Sequence, residues 1–235
     1  PGQRGSDDGP VESASADETP ERGLARNQQV ASSNLAGGFS VFTRKGYVMR
    51  FDLETVRKHM QTFNRIFQRK PAYGQIVYLS LEDCEAIHVM VGFLSAGEQH
   101  GVQVFSQLGD ESVFELMREG ISDFGLNQPN LLEMILSNTD LYEQTFEGGI
   151  GRLERLLRVA TYLLREIVTK HPFLDGNKRT GFVTALVFLK LNAVPMKGFR
   201  LKDAVDTLLE IAQGQQSNEQ VYDWLRGYAN LKPKP

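Results

Sequence analysis

A chain of 235 residues with a formal net charge of -3 is long enough to bury a sizeable core in one or two domains, and nothing in its bulk charge favours nucleic acid as a partner. One cysteine, Cys84, excludes an internal disulfide and suits a reducing compartment, so a cytoplasmic location is expected. No apolar run reaches the length of a membrane span and the N-terminus shows no signal-peptide pattern, so no membrane partner is expected either.

Residues 1–38 are rich in Gly, Ser, Asp, Glu and Arg and hold no aromatic residue. Such a stretch buries too little surface to offset its ordering entropy, so disorder is expected there. A second segment, 39–74, reads as a hairpin followed by a helix. Ser40–Thr43 and Tyr47–Met49 are short runs flanking Lys45-Gly46. Asp52 caps a helix with Leu53, Val56, Met60, Phe63 and Phe67 at three- and four-residue spacings, and His59 falls on its flank, where a solvated histidine is expected. Lys70-Pro71 closes it.

The main domain is expected over 75–230. Ser80 caps a helix with Ile87, Met90, Val91 and Leu94 on its core face, ending at Ala96-Gly97. Cys84 lies on the apolar side and reads as core. His88 and His100 have no Cys or His at metal spacing, so zinc is not expected. Val113–Met117 and Leu131–Leu136 read as two further helices, with Pro129 near the start of the second. Asn138–Gly151, with Tyr142, Thr145 and Phe146 loosely alternating before three glycines, suits a short hairpin or lid, or a plain connecting loop. Leu201–Ala212 forms a helix stopped by Gly214. Ser217 with Gln220 makes a capping box for a last helix facing inward through Val221, Trp224, Leu225 and Tyr228. In the tail, 231–235, Lys232-Pro-Lys-Pro cannot be helical.

Between two strong helix patterns stands His171-Pro-Phe-Leu-Asp175-Gly-Asn177-Lys178-Arg179-Thr180. Before it, Leu153, Leu156, Leu157, Ala160, Leu163, Leu164, Ile167 and Val168 keep helical spacing; after it, Gly181–Leu191 is apolar almost all round and predicts a buried helix. Pro172 ends the first helix, so the second begins near Gly176 or Asn177 with its free N–H groups directed back into the loop. A helix start attracts anions, and Gly176 lets a ligand approach the backbone. Lys178 and Arg179 stand against the helix dipole and call for an anion such as a polyphosphate. Asp175 is a hard oxygen donor suited to Mg²⁺, and His171 is suited to general-base work. Taken singly, a histidine before proline, a Gly-Asn pair and a Lys-Arg pair are ordinary surface features. Their co-occurrence between two helices points to phosphoryl or nucleotidyl transfer.

These residues resemble the signature of the Fic/Doc superfamily, His-x-Phe-x-(Asp/Glu)-(Gly/Ala)-Asn-(Gly/Lys)-Arg, and Tyr78–His88 resembles the opening helix of Doc-type domains. The resemblance implies an all-α, Fic/Doc-type helical bundle with a small β-hairpin flap. It implies transfer of a phosphate-containing group from ATP, with Mg²⁺, to a hydroxyl of a protein target. His171 is then the base and Asp175 the metal ligand. Lys178 and Arg179 belong to the catalytic set. Gly176, Asn177, Lys178, Arg179 and Thr180 line the nucleotide site, with Phe173 anchoring the loop. A flap pairing with a target peptide as an added strand is implied at Tyr142, Thr145 and Phe146.

Two departures from AMP-transferring members tilt the reading. Lys178 stands where they usually have glycine, and Phe182 where they have a second arginine. The Lys-Arg-Thr ending is that of the Doc branch, whose members resemble kinases, so protein phosphorylation is favoured over AMPylation. A non-catalytic nucleotide- or protein-binding regulator is the alternative of another class. The inhibitory Ser/Thr-x-x-x-Glu-(Gly/Asn) pattern of many Fic proteins has no good copy here: Thr139 to Glu143 is followed by Gln144. A separate, antitoxin-like inhibitor is therefore expected.

Overall fold

The structure is a computed structural model and describes residues 38–43, 46–100, 123–145 and 149–229. Of the stretch 1–38 expected to be disordered, all but Gly38, which opens the first strand, lies outside the described residues, as do the Val113–Met117 helix, the flap position Phe146 and the 231–235 tail. Among those described are seven helices: α1 (Leu53–Gln68), α2 (Leu81–His100), α3 (Pro129–Gln144), α4 (Arg152–Lys170), α5 (Asn177–Leu191), α6 (Leu201–Ala212) and α7 (Asn218–Tyr228). Three short strands accompany them, β1 (Gly38–Thr43), β2 (Gly46–Phe51) and β3 (Gly125–Leu126). The expected all-α bundle with a small hairpin is borne out.

The helices begin where side chains satisfy their first N–H groups. Asp52 Oδ1 accepts from Thr55 N at 2.8 Å, Ser80 Oγ from Asp83 N at 3.1 Å, and Ser217 with Gln220 forms the expected capping box. At the centre lie α4 and α5. Leu156, Leu157, Leu163, Leu164, Ile167 and Val168 of α4 are all fully buried, as are Ala185, Phe188 and Leu189 of α5. Gly181 makes the close crossing of the two helices possible. A Cβ there would stand 3.0 Å from Val168 Cγ2 and 3.1 Å from the Leu164 carbonyl. That crossing fixes the two helix ends between which the motif loop runs. Trp224 is half-buried in a ring cluster with Phe182, Phe199 and Tyr228, at centroid distances of 5.8, 5.6 and 5.8 Å.

The sheet is antiparallel in the order β1-β2-β3, with Val41 opposite Val48 and Met49 opposite Leu126. The hairpin expected at 39–50 is present. The hairpin expected at 138–151 is not, over its described part: Tyr142 lies inside α3 and Thr145 caps that helix. Side-chain burial explains the correction. Leu132, Ile135, Thr139 and Glu143 continue one inward face at helical spacing, Tyr142 stacks on Tyr162 at 4.8 Å, and Glu143 takes an ion pair from Arg155 at 2.7 Å. Packing against α4 thus carries the helix past Leu136. Similarly, α2 runs on to His100 instead of ending at Ala96-Gly97, since one glycine costs a helix only about 1 kcal/mol.

His59 is the second correction. It is buried, not solvated, because α1 packs on α2 and sets its Nε2 3.5 Å from Glu85 Oε2. Burial holds the imidazole down to about 4. Burial, and next the Glu82 carboxylate, push Glu85 up to about 7 against a weaker opposing pull from Lys58. A carboxyl whose folded pKa is raised favours folding at low pH, and that contribution fades as pH rises through the folded value. Glu85→Gln removes this dependence. The melting temperature of the variant, minus that of wild type, is expected to increase between pH 5 and pH 8; a difference constant with pH contradicts it.

Candidate active site

Residues 171–176 form a short loop between the C-terminus of α4 and the N-terminus of α5. Both of its ends are left-handed. His171 caps α4 at φ 53 and ψ 57, an uncommon conformation for a residue with a side chain, and Gly176 precedes α5 at φ 70. The second helix starts at Asn177, as expected from the sequence. Gly176 supplies no side-chain cap, so the first N–H groups of α5 are not closed off by one.

Three braces hold this loop. The Asn177 amide closes it from within: its Oδ1 accepts from Phe173 N and its Nδ2 donates to Phe173 O, both at 2.9 Å. From outside, β3 lies along it. Asn127 N donates to Pro172 O at 2.7 Å, Leu174 N donates to Gly125 O at 3.0 Å, and Leu126 pairs with Phe173 as an antiparallel bridge. Since β3 also pairs with β2, the loop is in effect the outer member of a four-segment antiparallel ladder. Gly125, at φ +144, passes so close to β2 that a Cβ on it would stand 2.1 Å from the Met49 carbonyl oxygen. The third brace is His88 on α2, stacked on the Phe173 ring at 4.2 Å and bonded through Nδ1 to Thr180 Oγ1 at 3.1 Å.

The sequence-selected residues then sort by direction. His171, Lys178 and Arg179 are exposed, and Asp175 and Gly176 are half-buried. Phe173, Asn177 and Thr180 turn inward and are buried. Phe173 thus sits where an anchor belongs, while Asn177 and Thr180 hold the loop and helix start together with the polar atoms expected to face a ligand. His171 Nδ1 lies 3.0 Å from the Thr169 carbonyl oxygen, which can only accept. In the neutral ring that bond puts the proton on Nδ1 and leaves Nε2 with a lone pair. Asp175 Oδ1 accepts from Gly176 N at 2.6 Å, and Arg179 Nη1 donates to Ser95 Oγ at 2.5 Å. The flap residues Tyr142 and Thr145 belong to the far end of α3 as described above.

Among the described residues no three or more His, Cys, Asp or Glu side chains gather as a metal site. The donor set at the loop is one carboxylate, Asp175, beside a helix start. That set fits a magnesium ion carried in on a polyphosphate, which takes one or two carboxylates and leaves its other positions to water and phosphate oxygens. Sequence reasoning missed His88, Ser95 and the β3 ladder. His88 shares the inward face of α2 with Cys84 and Val91, four residues before it and three after, so its burial was readable from spacing. Its partners were not.

Asn177→Ala removes both bonds to Phe173 and leaves that backbone pair unsatisfied in a buried place. It is expected to lower stability by about 1–3 kcal/mol, read from urea unfolding. Gly125→Ala is expected to be comparably destabilising, by about 1–3 kcal/mol, because the added methyl collides with backbone. A wild-type unfolding midpoint in either variant refutes the bracing described here.

Two comparisons bear on this geometry. Residues 78–189, which run from just before α2 almost to the end of α5, match the model of the Fic/DOC family. The Toxin Doc of Mycolicibacterium smegmatis is 32% identical over 82 residues, which cover 34% of this chain and 63% of that toxin. The match therefore spans less than two thirds of the toxin's length. Residues 78–189, which contain the whole loop, α4 and nearly all of α5, are thus similar to the Fic/DOC family.

Proposed function

We propose that this protein is a Fic/Doc-type transferase that moves the terminal phosphate of ATP, bound with Mg²⁺, to a hydroxyl of a target protein. The observation that carries the reading is the orientation of His171. Its Nδ1 is committed to the Thr169 carbonyl at 3.0 Å, so the exposed ring of the neutral form offers Nε2 as its free nitrogen, four residues before Asp175 on the loop that leads into α5.

The chemistry follows from the groups present. A hydroxyl of the target attacks the terminal phosphorus while its proton passes to His171 Nε2. The bond from that phosphorus to the bridging oxygen breaks, and the electron pair leaves on the nucleoside diphosphate. Charge developing on the phosphate oxygens meets the N–H groups opening α5 and the cations of Lys178 and Arg179. Asp175 would hold the magnesium ion, which when bound neutralises phosphate charge. The Arg179 guanidinium is already drawn toward α2 by Ser95.

Phosphate rather than AMP is favoured by what stands at the two departures noted above. Lys178 is exposed at the helix start, and Phe182 packs edge-on against Phe199 at 5.1 Å in the ring cluster. The position where AMP-transferring members carry a second arginine is thus filled by an inward-facing aromatic side chain. Glu143, the nearest approach to an inhibitory glutamate, is held by Arg155. An antitoxin-like partner on a separate chain fits this, as does a toxin role like that in the name of the relative. No helix among the described residues is long and apolar enough to cross a membrane, and the buried thiol of Cys84 fits a reducing, cytoplasmic setting.

Incubation of the full chain with lysate proteins and Mg-ATP is expected to transfer label from the γ position and not from the α position. The mass of a modified target should increase by about 80 Da, against about 329 Da for AMP. His171→Ala is expected to reduce transfer by about 10²-fold or more. Label from the α position selects AMP transfer. Nucleotide binding without any His171-dependent transfer selects the non-catalytic regulator.

A further inference from the structure

His88, on α2, touches the motif loop, the end of β2, the residue before β3 and the first turn of α5. Its ring stacks on Phe173 of the loop, with centroids 4.2 Å apart and planes at 18°. Edge contacts join it to Phe124, at the entrance to β3, and to Phe51, at the end of β2, at 5.5 and 6.3 Å. Its Nδ1 meets Thr180 Oγ1 in the first turn of α5 at 3.1 Å. Both His88 and Thr180 have 0% exposure.

The second observation is a cost. His88 Nε2 is buried and has no hydrogen-bond partner among the described residues. An unsatisfied polar atom in such a place destabilises a fold, and an apolar side chain of similar size would fill the space without it. Burial also holds this imidazole down to about 3, against a weaker opposing pull from Asp175, so it stands neutral beside the cations of the helix start. A histidine that packing alone does not favour, bonded to the first turn of α5 and stacked on the loop, has its use in placing both.

We infer that His88 is a positioning residue: through Thr180 and Phe173 it sets the angle between the motif loop and the start of α5, and so the placement of His171 and Asp175 relative to the helix N–H groups. It touches neither nucleotide nor target. This rests on the transferase reading above, and the experiment separates the two. Misplacing reacting groups by about 1 Å costs about 10²-fold in rate without a matching loss of binding.

The test compares transfer from Mg-ATP, in the full chain, among wild type, His88→Leu, His88→Gln, Thr180→Val and the double variant His88→Leu/Thr180→Val. Thermal unfolding of each is measured alongside. The expected result has five parts. His88→Leu and Thr180→Val each lower kcat about 10-fold or more. The KM for ATP moves by less than about 3-fold. The double variant is no slower than the slower single, since both break one link. His88→Gln, whose amide can still meet Thr180 Oγ1, recovers part of the rate. The double variant unfolds at or above the wild-type temperature. Wild-type kcat in either single variant, multiplying losses in the double, or a change in KM alone overturns the inference. Should one variant fail to fold, the others decide by the same criteria. If wild type itself transfers nothing, the functional reading has failed instead. The backbone amide shifts of residues 171–176 in Thr180→Val then decide the positioning claim, by moving if the link sets the loop and staying if it does not.

Discussion

Both ends of one buried amide close on the backbone of one residue: Asn177 accepts from and donates to Phe173, twice at 2.9 Å. A loop between two helices has no ladder of its own, and its free N–H and C=O groups must find partners before it can hold a shape. Asn177 supplies two partners from the first residue of the following helix, so loop and helix start become one rigid turn. The αL conformation of His171 depends on this. A residue with a side chain stays there only when its surroundings over-determine it. From that strained corner the imidazole points outward, while Phe173 two residues later points into the core.

The polarity of the site follows from the same turn. Lys178 and Arg179 occupy the first turn of α5, where the helix dipole would prefer carboxylates, and Asp175 sits just before it. Cations at a positive helix end raise the local potential and favour an anion of high charge density. On the transferase reading proposed above, the nearby carboxylate would give a divalent cation a place beside it. Buried, uncharged neighbours such as Thr180 and His88 keep the inner side of this turn free of competing charge.

Much of this was legible in the sequence for a physical reason: the helices carry their own signals. The apolar spacing of α4 and α5, the caps at Asp52, Ser80 and Ser217 and the proline after His171 are local and survive without tertiary information. What failed was non-local. His59 read as solvated because nothing in α1 announces that α2 will cover it. Tyr142 and Thr145 read as flap residues because the resemblance implied a flap where three glycines suggested a turn, whereas Tyr162 and Arg155 on α4 keep the segment helical. In the site, residue types were readable but directions were not. Asn177 and Thr180 have the polarity of ligand-binding residues, and only the fold reveals that their polar atoms face Phe173 and His88.

The strand ladder that ends on the motif loop begins at Gly38, about forty residues upstream of the segment shared with the Fic/DOC family. Gly125 and Leu126 are held between β2 on one side and the loop on the other, so the hairpin is wired to the chemistry through a single two-residue strand. The working unit is thus larger than the stretch recognisable by kinship. The hairpin reaches the loop that carries His171 through main-chain bonds alone, by way of Gly125 and Leu126.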